Sequence, residues 1–487
     1  MKFEMVRRRR MKWAHFLAVA CWVAVPSAAS AQAVFTSSDT ALEQAFARAR
    51  DMALSYRGPA TDPVGPWYEA ALPARSAFCV RDVSHQLIGA EVLGMQAENR
   101  NMLTRFLEGI SESKDWCTFW EIHKSGRPAV EDYRNDKEFW YNLNANFELI
   151  YAGWRMYMWT GDTAFINSAA FRNFSAITVG PFVDRWHLRP KALLDRPPFP
   201  NAPVPFNEKD YFHRCRGLPS YYEAIADMGM GADLVAAMYR GFSAYADIAG
   251  WRGDRRAEKQ YRTIAAAYLR HLETHWWDEQ SAGYNTYITH KGVFGKGEGE
   301  TYLLWYDALT DAGRARKTIA HLAGGKWNVE NLSYLSYQFC RYGYFDEAYR
   351  FILYLTNPAT PRREYPEVSF GVMEGIVQGV MGVSPDGRNG RLTTVYNSRS
   401  PHFCEIGGLK VLSSVIRLRH EPRRSVLKNE GSRPFSWRAA FNGKAKAIRI
   451  NGKKMKTRVE TDVMGNSKTW AEVELLPGME AIAEKED

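Results

Sequence analysis

Four stretches of the chain concentrate residue types able to move protons and grip hydroxyl groups. The run Phe78-Cys79-Val80-Arg81-Asp82-Val83-Ser84-His85-Gln86 sets an arginine–aspartate fork close to an imidazole. Trp116-Cys117-Thr118-Phe119-Trp120-Glu121 is followed by Glu131-Asp132-Tyr133-Arg134-Asn135-Asp136 and Trp140, which mixes aromatic planes with carboxylates, an amide and a guanidinium. Arg216-Gly217-Leu218-Pro219-Ser220-Tyr221-Tyr222-Glu223 places an acid among tyrosines, with Asp227 shortly after, and Arg362-Arg363-Glu364-Tyr365-Pro366-Glu367 places two more carboxyls about a proline. A sugar presents apolar C–H faces and a rim of hydroxyls, so such mixtures suit it. Two carboxylic acids facing each other over a sugar can protonate a leaving oxygen and activate water. Each stretch also has a plainer reading. Asp82 is a favoured helix cap, the tryptophans fit a buried loop, and either glutamate can cap its own helix.

Apolar periodicity and stop signals predict twelve helices from residue 38 onward, with almost no strand pattern before about residue 383. The first seven are expected at residues 40–55, after Asp82, and at 100–110, 137–160, 162–185, 220–248 and 255–276, with a proline-rich crossing from Arg196 to Pro205 between the fifth and sixth. The rest are expected to start at Gly299, at Asp311, near Leu332, at Phe345 and at Pro366. Apolar or glycine-rich members alternate with charged ones such as Arg255-Arg256-Ala257-Glu258-Lys259. The first kind lines an interior and the second faces water, which describes a mainly α fold, an (α/α)6 barrel. From about residue 406, short alternating runs such as Ala447-Ile448-Arg449-Ile450, closed by Asn451-Gly452, predict a small β-rich C-terminal domain. Residues 32–405 are thus read as the barrel and 406–487 as the appendage. Residues 1–31, with Arg7 to Arg10, an apolar run and Ala29-Ser30-Ala31, read as a cleaved secretion signal too short for a stable membrane span, so the protein is expected in the periplasm or outside the cell.

In such a barrel the inner helices are parallel and bring their N-termini, with free amides and positive dipole ends, to one mouth. The polar residues ahead of inner helices are therefore the candidates. These are Arg81, Asp82 and His85 at the second helix, Trp120, Glu121, Asp132, Asp136, Trp140 and Asn144 at the fourth, Tyr221 and Glu223 at the sixth, Glu300 at the eighth, and Glu364 and Glu367 at the twelfth. Partial burial among tyrosines would raise the pKa of Glu223 and suit it as general acid. Pro366 fits a first helical turn, so Glu367 would sit at the positive dipole end and favour the ionised form of a base.

At these residues the chain resembles the six-hairpin glycosidases, a superfamily that includes glucoamylase-like and rhamnosidase-like enzymes, over residues 38–400. Val80-Arg81-Asp82 is similar to the Trp-x-Arg-Asp segment that holds the terminal sugar in glucoamylase-like members, with Cys79 in the tryptophan's place. Trp120 and the stretch from Asp132 to Asp136 match their second binding loop, Glu223 their acid and Glu367 their base. The resemblance implies exo-acting, inverting hydrolysis of an oligo- or polysaccharide, with the two carboxyls roughly 6.5–9.5 Å apart. The choice within Glu223/Asp227 and within Glu364/Glu367 stays open, and Glu121 and Glu300 stand in reserve.

Other classes find less support. The formal charge of +10 divides into +5 for residues 1–31 and +7 for 406–487, leaving −2 for the body, so the charge does not point to nucleic acid. After the signal five cysteines remain, Cys79, Cys117, Cys215, Cys340 and Cys404, with no metal spacing, and read as buried thiols with room for one disulfide. His271 and His275 lie on an outer helix and read as packing residues. No cofactor or metal is expected. Two rivals remain. A polysaccharide lyase acting on uronates would draw on His85, His213, Tyr221, Asn144 and Arg216, and a non-catalytic glycan-binding protein would use the same mouth without chemistry.

Overall fold

The computed structural model describes residues 32–197, 216–225, 227–398 and 400–487. The expected signal at 1–31, most of the proline-rich crossing, His213 and Cys215 lie outside these. Gln32–Asp487 form one compact unit.

Helix α1 (Thr40–Ser55) is capped by Asp39, whose Oδ1 accepts the N–H groups of Ala41 and Leu42 at 3.1 Å each, and it buries Leu42, Ala45, Phe46 and Ala49. It is followed by α2 (Val80–Val92), α3 (Gln96–Glu108), α4 (Asn144–Thr160), α5 (Ala169–Ile177), α6 (Ala232–Trp251), α7 (Arg255–His275) and α8 (Glu300–Trp305). Four more complete the series: α9 (Ala312–Gly324), α10 (Leu335–Arg341), α11 (Phe345–Thr356) and α12 (Pro366–Glu374). Burial alternates along it. Nearly every residue of α2, α4 and α12 is enclosed, whereas the long α7 buries only Ala265, Tyr268 and Leu272. The enclosed helices pack in a closed circuit, α2 on α4, α4 on α6, α6 on α8, α8 on α10, α10 on α12, and α12 back on α2. The amphipathic ones lie against them, α7 on α6 and α1 on α12.

Several expected boundaries shift, for one shared reason. Helix α4 starts at Asn144 instead of residue 137, because Tyr141–Asn142 pairs as a parallel strand with Arg216–Leu218. Likewise α6 starts at Ala232 instead of residue 220, because Met228–Gly231 pairs with Tyr287–Thr289. Pairing satisfies backbone groups that the helix would otherwise have claimed. Residues 162–185 are broken into short helices with a π-helical turn at Thr178–Phe182 that contains Pro181. Short strands thus occur well before residue 383, including Val34–Ser37, which joins the C-terminal β region by pairing with Cys404–Val411.

That region holds a seven-stranded and a five-stranded sheet, the latter beginning with Ser384–Asp386 and Arg391–Val395. The Asn451-Gly452 turn, with φ of 51° and 78°, pairs Ile450 with Lys453 as a two-residue hairpin. The helical body is tied to the sheets where Trp159 Nε1 donates to Lys410 O at 3.1 Å and Leu412 N–H donates to Trp159 O at 2.9 Å. Cys79, Cys117, Cys340 and Cys404 are buried free thiols.

The inner circuit closes through small residues. A Cβ on Gly89 of α2 would come closer than 3.0 Å to the Phe370 carbonyl oxygen of α12. Gly89→Ala is therefore expected to lower stability by about 1–3 kcal/mol, read from urea unfolding; an unchanged midpoint would show that the two backbones can separate freely.

Candidate active site

Every helix of the inner circuit sends residues from its N-terminal side into one cavity of about 430 Å³, a volume usual for small-ligand sites. Helix α2 supplies Arg81 and Asp82, the segment into α4 supplies Trp140, and the loop ahead of α6 supplies Tyr221, Tyr222 and Glu223. Glu298, Gly299 and Tyr302 come from the start of α8, Asn328 and Asn331 from ahead of α10, and Glu367 from α12. Trp120, Glu121 and Asp132 enter from the long connection before α4. Glu223 and Glu367 thus open into the same space, from positions three places apart around the six-helix circuit.

Glu367 lies in the first turn of α12 and is only 2 % exposed. Burial, and then the negative charge of Asp82, push its pKa up to about 8, against the pull of Arg81. The expectation that the helix dipole would keep it ionised therefore fails. An end dipole is worth about 0.3–1 kcal/mol, while full burial of a carboxylate shifts the balance by several times that. Arg81 Nε stands 3.0 Å from Asp82 Oδ1, and its guanidinium carbon lies 5.7 Å from the centre of the Tyr221 ring.

Glu223 sits in an extended loop, well ahead of α6, and is half-buried. Its Oε1 accepts from Asn142 Nδ2 at 3.3 Å; the same amide nitrogen donates to Ser220 O at 2.5 Å, and Asn142 Oδ1 accepts from Trp140 Nε1 at 2.8 Å. The carboxylate in the first turn of α6 is Asp233, which sequence reasoning passed over. Its Oδ2 accepts the Tyr221 N–H at 2.6 Å and Asn144 Nδ2 at 3.0 Å, and burial raises its pKa to about 6 against those bonds. Asn144 thus braces the Tyr221 loop and does not line the cavity.

A second carboxyl pair closes another side. Arg75 Nη1 bridges Glu121 Oε2 at 2.8 Å and Asp132 Oδ2 at 3.2 Å. Burial and then the charge of Asp132 raise Glu121 to about 8, with Arg75 opposing, so at neutral pH this pair holds a proton. Arg75 lies between Ala74 and Ser76, both at positive φ (67° and 53°), in a loop whose sequence carries no pattern that would have singled it out. Asn328 and Asn331 were likewise missed, although they stand ahead of α10 as the recognised candidates stand ahead of theirs. They donate to Glu298 Oε2 at 3.4 and 2.9 Å.

Beneath the cavity the fully enclosed His85 meets Glu148 Oε1 at 2.5 Å through Nε2. Its ring packs 4.3 Å from that of Tyr334 and 4.5 Å from that of Trp305.

Other expected site residues face elsewhere. Asp136 is held in an outer loop by Ser113 and Tyr133. Glu300 turns to His321, 2.5 Å away, and Glu364 is exposed and does not line the cavity, its carbonyl oxygen accepting from the Tyr56 hydroxyl. Asp227 does not line the cavity. Of the lyase set, Arg216 is bound to Asp115 at 2.9 Å and to Lys137 O at 2.9 Å, also outside it. Among the described residues no cluster of three His, Cys, Asp or Glu could hold a metal ion, and no helix is long and apolar enough to cross a membrane.

No family model matches the chain, and no curated protein matches it. Solved structures do. An α-L-rhamnosidase from Dictyoglumus thermophilum aligns over 94 % of this chain and 51 % of its own, with a TM-score of 0.57 and 11 % identity. A GH78 family rhamnosidase of Bacillus sp. GL1 aligns over 81 % of this chain and 40 % of its own, with a TM-score of 0.56 and 12 % identity. A human-microbiome protein assigned as a kojibiose phosphorylase gives 93 %, 63 %, 0.54 and 9 % for the same quantities. The chain is built on the fold these proteins share. It spans between 40 % and 63 % of their lengths.

Glu121 gives a pH signature. Its pKa is raised from 4.5 to about 8 on folding, so between these values the native state binds more protons than the unfolded one and loses stability as pH rises. Glu121→Gln lacks that titration. Relative to wild type, the variant is expected to be more stable at about pH 8 than at about pH 5, by urea unfolding; a pH-independent difference would contradict the burial argument.

Proposed function

We propose that the protein is an exo-acting, inverting glycoside hydrolase on an (α/α)6 barrel, and that it removes a terminal sugar from an oligo- or polysaccharide. The observation that carries this reading is the common cavity of Glu223 and Glu367. Buried Tyr302 lines it and packs on the enclosed ring of His85, and we read this as the inner end of a pocket that takes a chain end in preference to a mid-chain segment. Aromatic Trp120, Trp140 and Tyr221 stand among carboxylates there, the pairing a sugar requires. Glu330 Oε2 and Glu367 Oε2 are buried acceptors without a partner among the described residues, suited to hydroxyl donors of a ligand. Export by way of residues 1–31, with residues 406–487 as an accessory domain, belongs to the same proposal.

In the chemistry proposed, one carboxylic acid gives its proton to the glycosidic oxygen while the other, ionised, takes a proton from the attacking water. Arg81 and Asp82 grip the sugar's hydroxyls, and the Arg75 bridge holds Glu121 and Asp132 at the wall. Position along the chain favours Glu223 as donor and Glu367 as base. Burial of Glu367 beside Asp82 favours a second reading in which the two exchange roles. A lyase is disfavoured by charge. The cavity carries seven carboxyl side chains and two guanidinium groups, and both guanidinium groups already face carboxylates, so a uronate would meet repulsion.

Glu223→Gln and Glu367→Gln are each expected to reduce kcat on aryl glycosides about 10²–10⁴-fold, with folding intact by circular dichroism and product anomer read by NMR. Rescue by azide marks the base variant, and selective loss on poor leaving groups marks the acid variant. Full activity in both variants, or unsaturated uronate products detected by ultraviolet absorbance, would overturn the hydrolase.

A further inference from the structure

The run Gly295-Lys296-Gly297-Glu298-Gly299-Glu300 leads into α8, and Glu298 and Gly299 line the cavity. Its strand Phe294–Gly295 pairs with Tyr287–Thr289 so that Gly295 lies directly opposite Tyr287. Gly297 N–H donates to Thr286 Oγ1 at 2.7 Å and Thr286 N–H donates to Gly295 O at 2.9 Å, which pins the loop. A Cβ on Gly295 would fall closer than 3.0 Å to the Tyr287 ring, and one on Gly297 closer than 3.0 Å to the Tyr222 ring. Two tyrosine rings therefore rest against bare backbone. They also neighbour each other, with centroids 6.2 Å apart and 38° between their planes.

Tyr222 reaches the pocket, and Tyr287 packs beside it. Tyr222 lines the cavity beside Glu223 and is half-buried, as is Tyr287, whereas the lining residues Glu121, Tyr302 and Glu367 are buried. The preceding Tyr221 turns the other way, its phenol donating to Glu148 beneath the floor. A sugar held among the buried lining residues would leave the next ring of the glycan to meet the more exposed Tyr222.

We propose that Tyr222, backed by Gly297 and steadied by Tyr287 on Gly295, forms an outer subsite that stacks the second sugar ring, on the leaving side of the bond to be cleaved. Tyrosine offers that ring a flat apolar face. The glycine backing holds the face in position before the ligand arrives, so little side-chain freedom is lost on binding. The proposal rests on the glycosidase reading above.

The test uses the full chain and two series of probes: the p-nitrophenyl glycosides of α-L-rhamnose, α-D-glucose and α-D-mannose, and the matching glycosyl fluorides. The nitrophenyl ring fills the outer subsite, whereas a lone fluorine leaves it empty. Tyr222→Ala is expected to lower the ratio of kcat/KM on the aryl glycoside to that on the fluoride about tenfold. Tyr222→Phe, which keeps the ring, is expected to hold that ratio within about twofold of wild type. If Tyr222→Ala does not fold, Tyr287→Ala carries the same expectation. An unchanged ratio in a folded alanine variant overturns the subsite and leaves the hydrolase standing. A wild type inert on every fluoride and every aryl glycoside removes the hydrolase reading and the subsite with it.

Discussion

The floor of the cavity depends on one buried carboxylate, Glu148 of α4. Burial alone would drive its pKa up, yet His85 beside it and the donors around it keep it below the ordinary value. Tyr221 donates to one oxygen and Trp305 Nε1 to the other at 3.0 Å, so a single anion fastens α2, α4, α8 and the loop that carries Glu223. Farther along the interior the arrangement continues. Arg155 of α4 meets Glu374 of α12 at 2.5 Å, and Arg341 of α10 pairs with Asp307 just beyond α8. The Arg341–Asp307 pair is partly exposed, whereas Arg155–Glu374 is buried; such a buried pair adds little net stability, but removing one member is costly because it leaves a bare charge in a dry interior.

The same low-dielectric setting governs the cavity. Glu121, Asp132 and Glu367 are shifted upward there, as is Asp233 in the first turn of α6, each with burial as the leading cause. Proximity of Asp82 to Glu367 and of Asp132 to Glu121 adds to it, since like charges in a shared dry site resist joint ionisation. At Glu121 and Glu367 enclosure favours the protonated form at neutral pH, and Arg75 and Arg81 restrain how far each shift goes.

Much of this could be read from local signals. The starts of α1, α7, α9 and α12 follow from Asp39, Asp254, Asp311 and Pro366, residues whose preference for the first helical turn needs no tertiary information. Glu223 and Glu367 are legible in the sequence because one stands ahead of an inner helix and the other in the first turn of one. What escaped notice depends on distant partners. The starts of α4 and α6 are set by strands that pair with segments far along the chain, and Arg75 matters only because Glu121 and Asp132 come to it. Asp136, Glu300 and Glu364 have suitable chemistry and suitable position in sequence but point to other neighbours, since side-chain direction is not contained in composition.

The strand Val34–Ser37 finds its partner only at Cys404–Val411. During synthesis the entire helical body between them must emerge before these backbone groups can be matched, so this pairing joins contacts of very long range. Until then the first strand presents an open edge, a surface on which chaperones or neighbouring nascent chains compete with the correct partner.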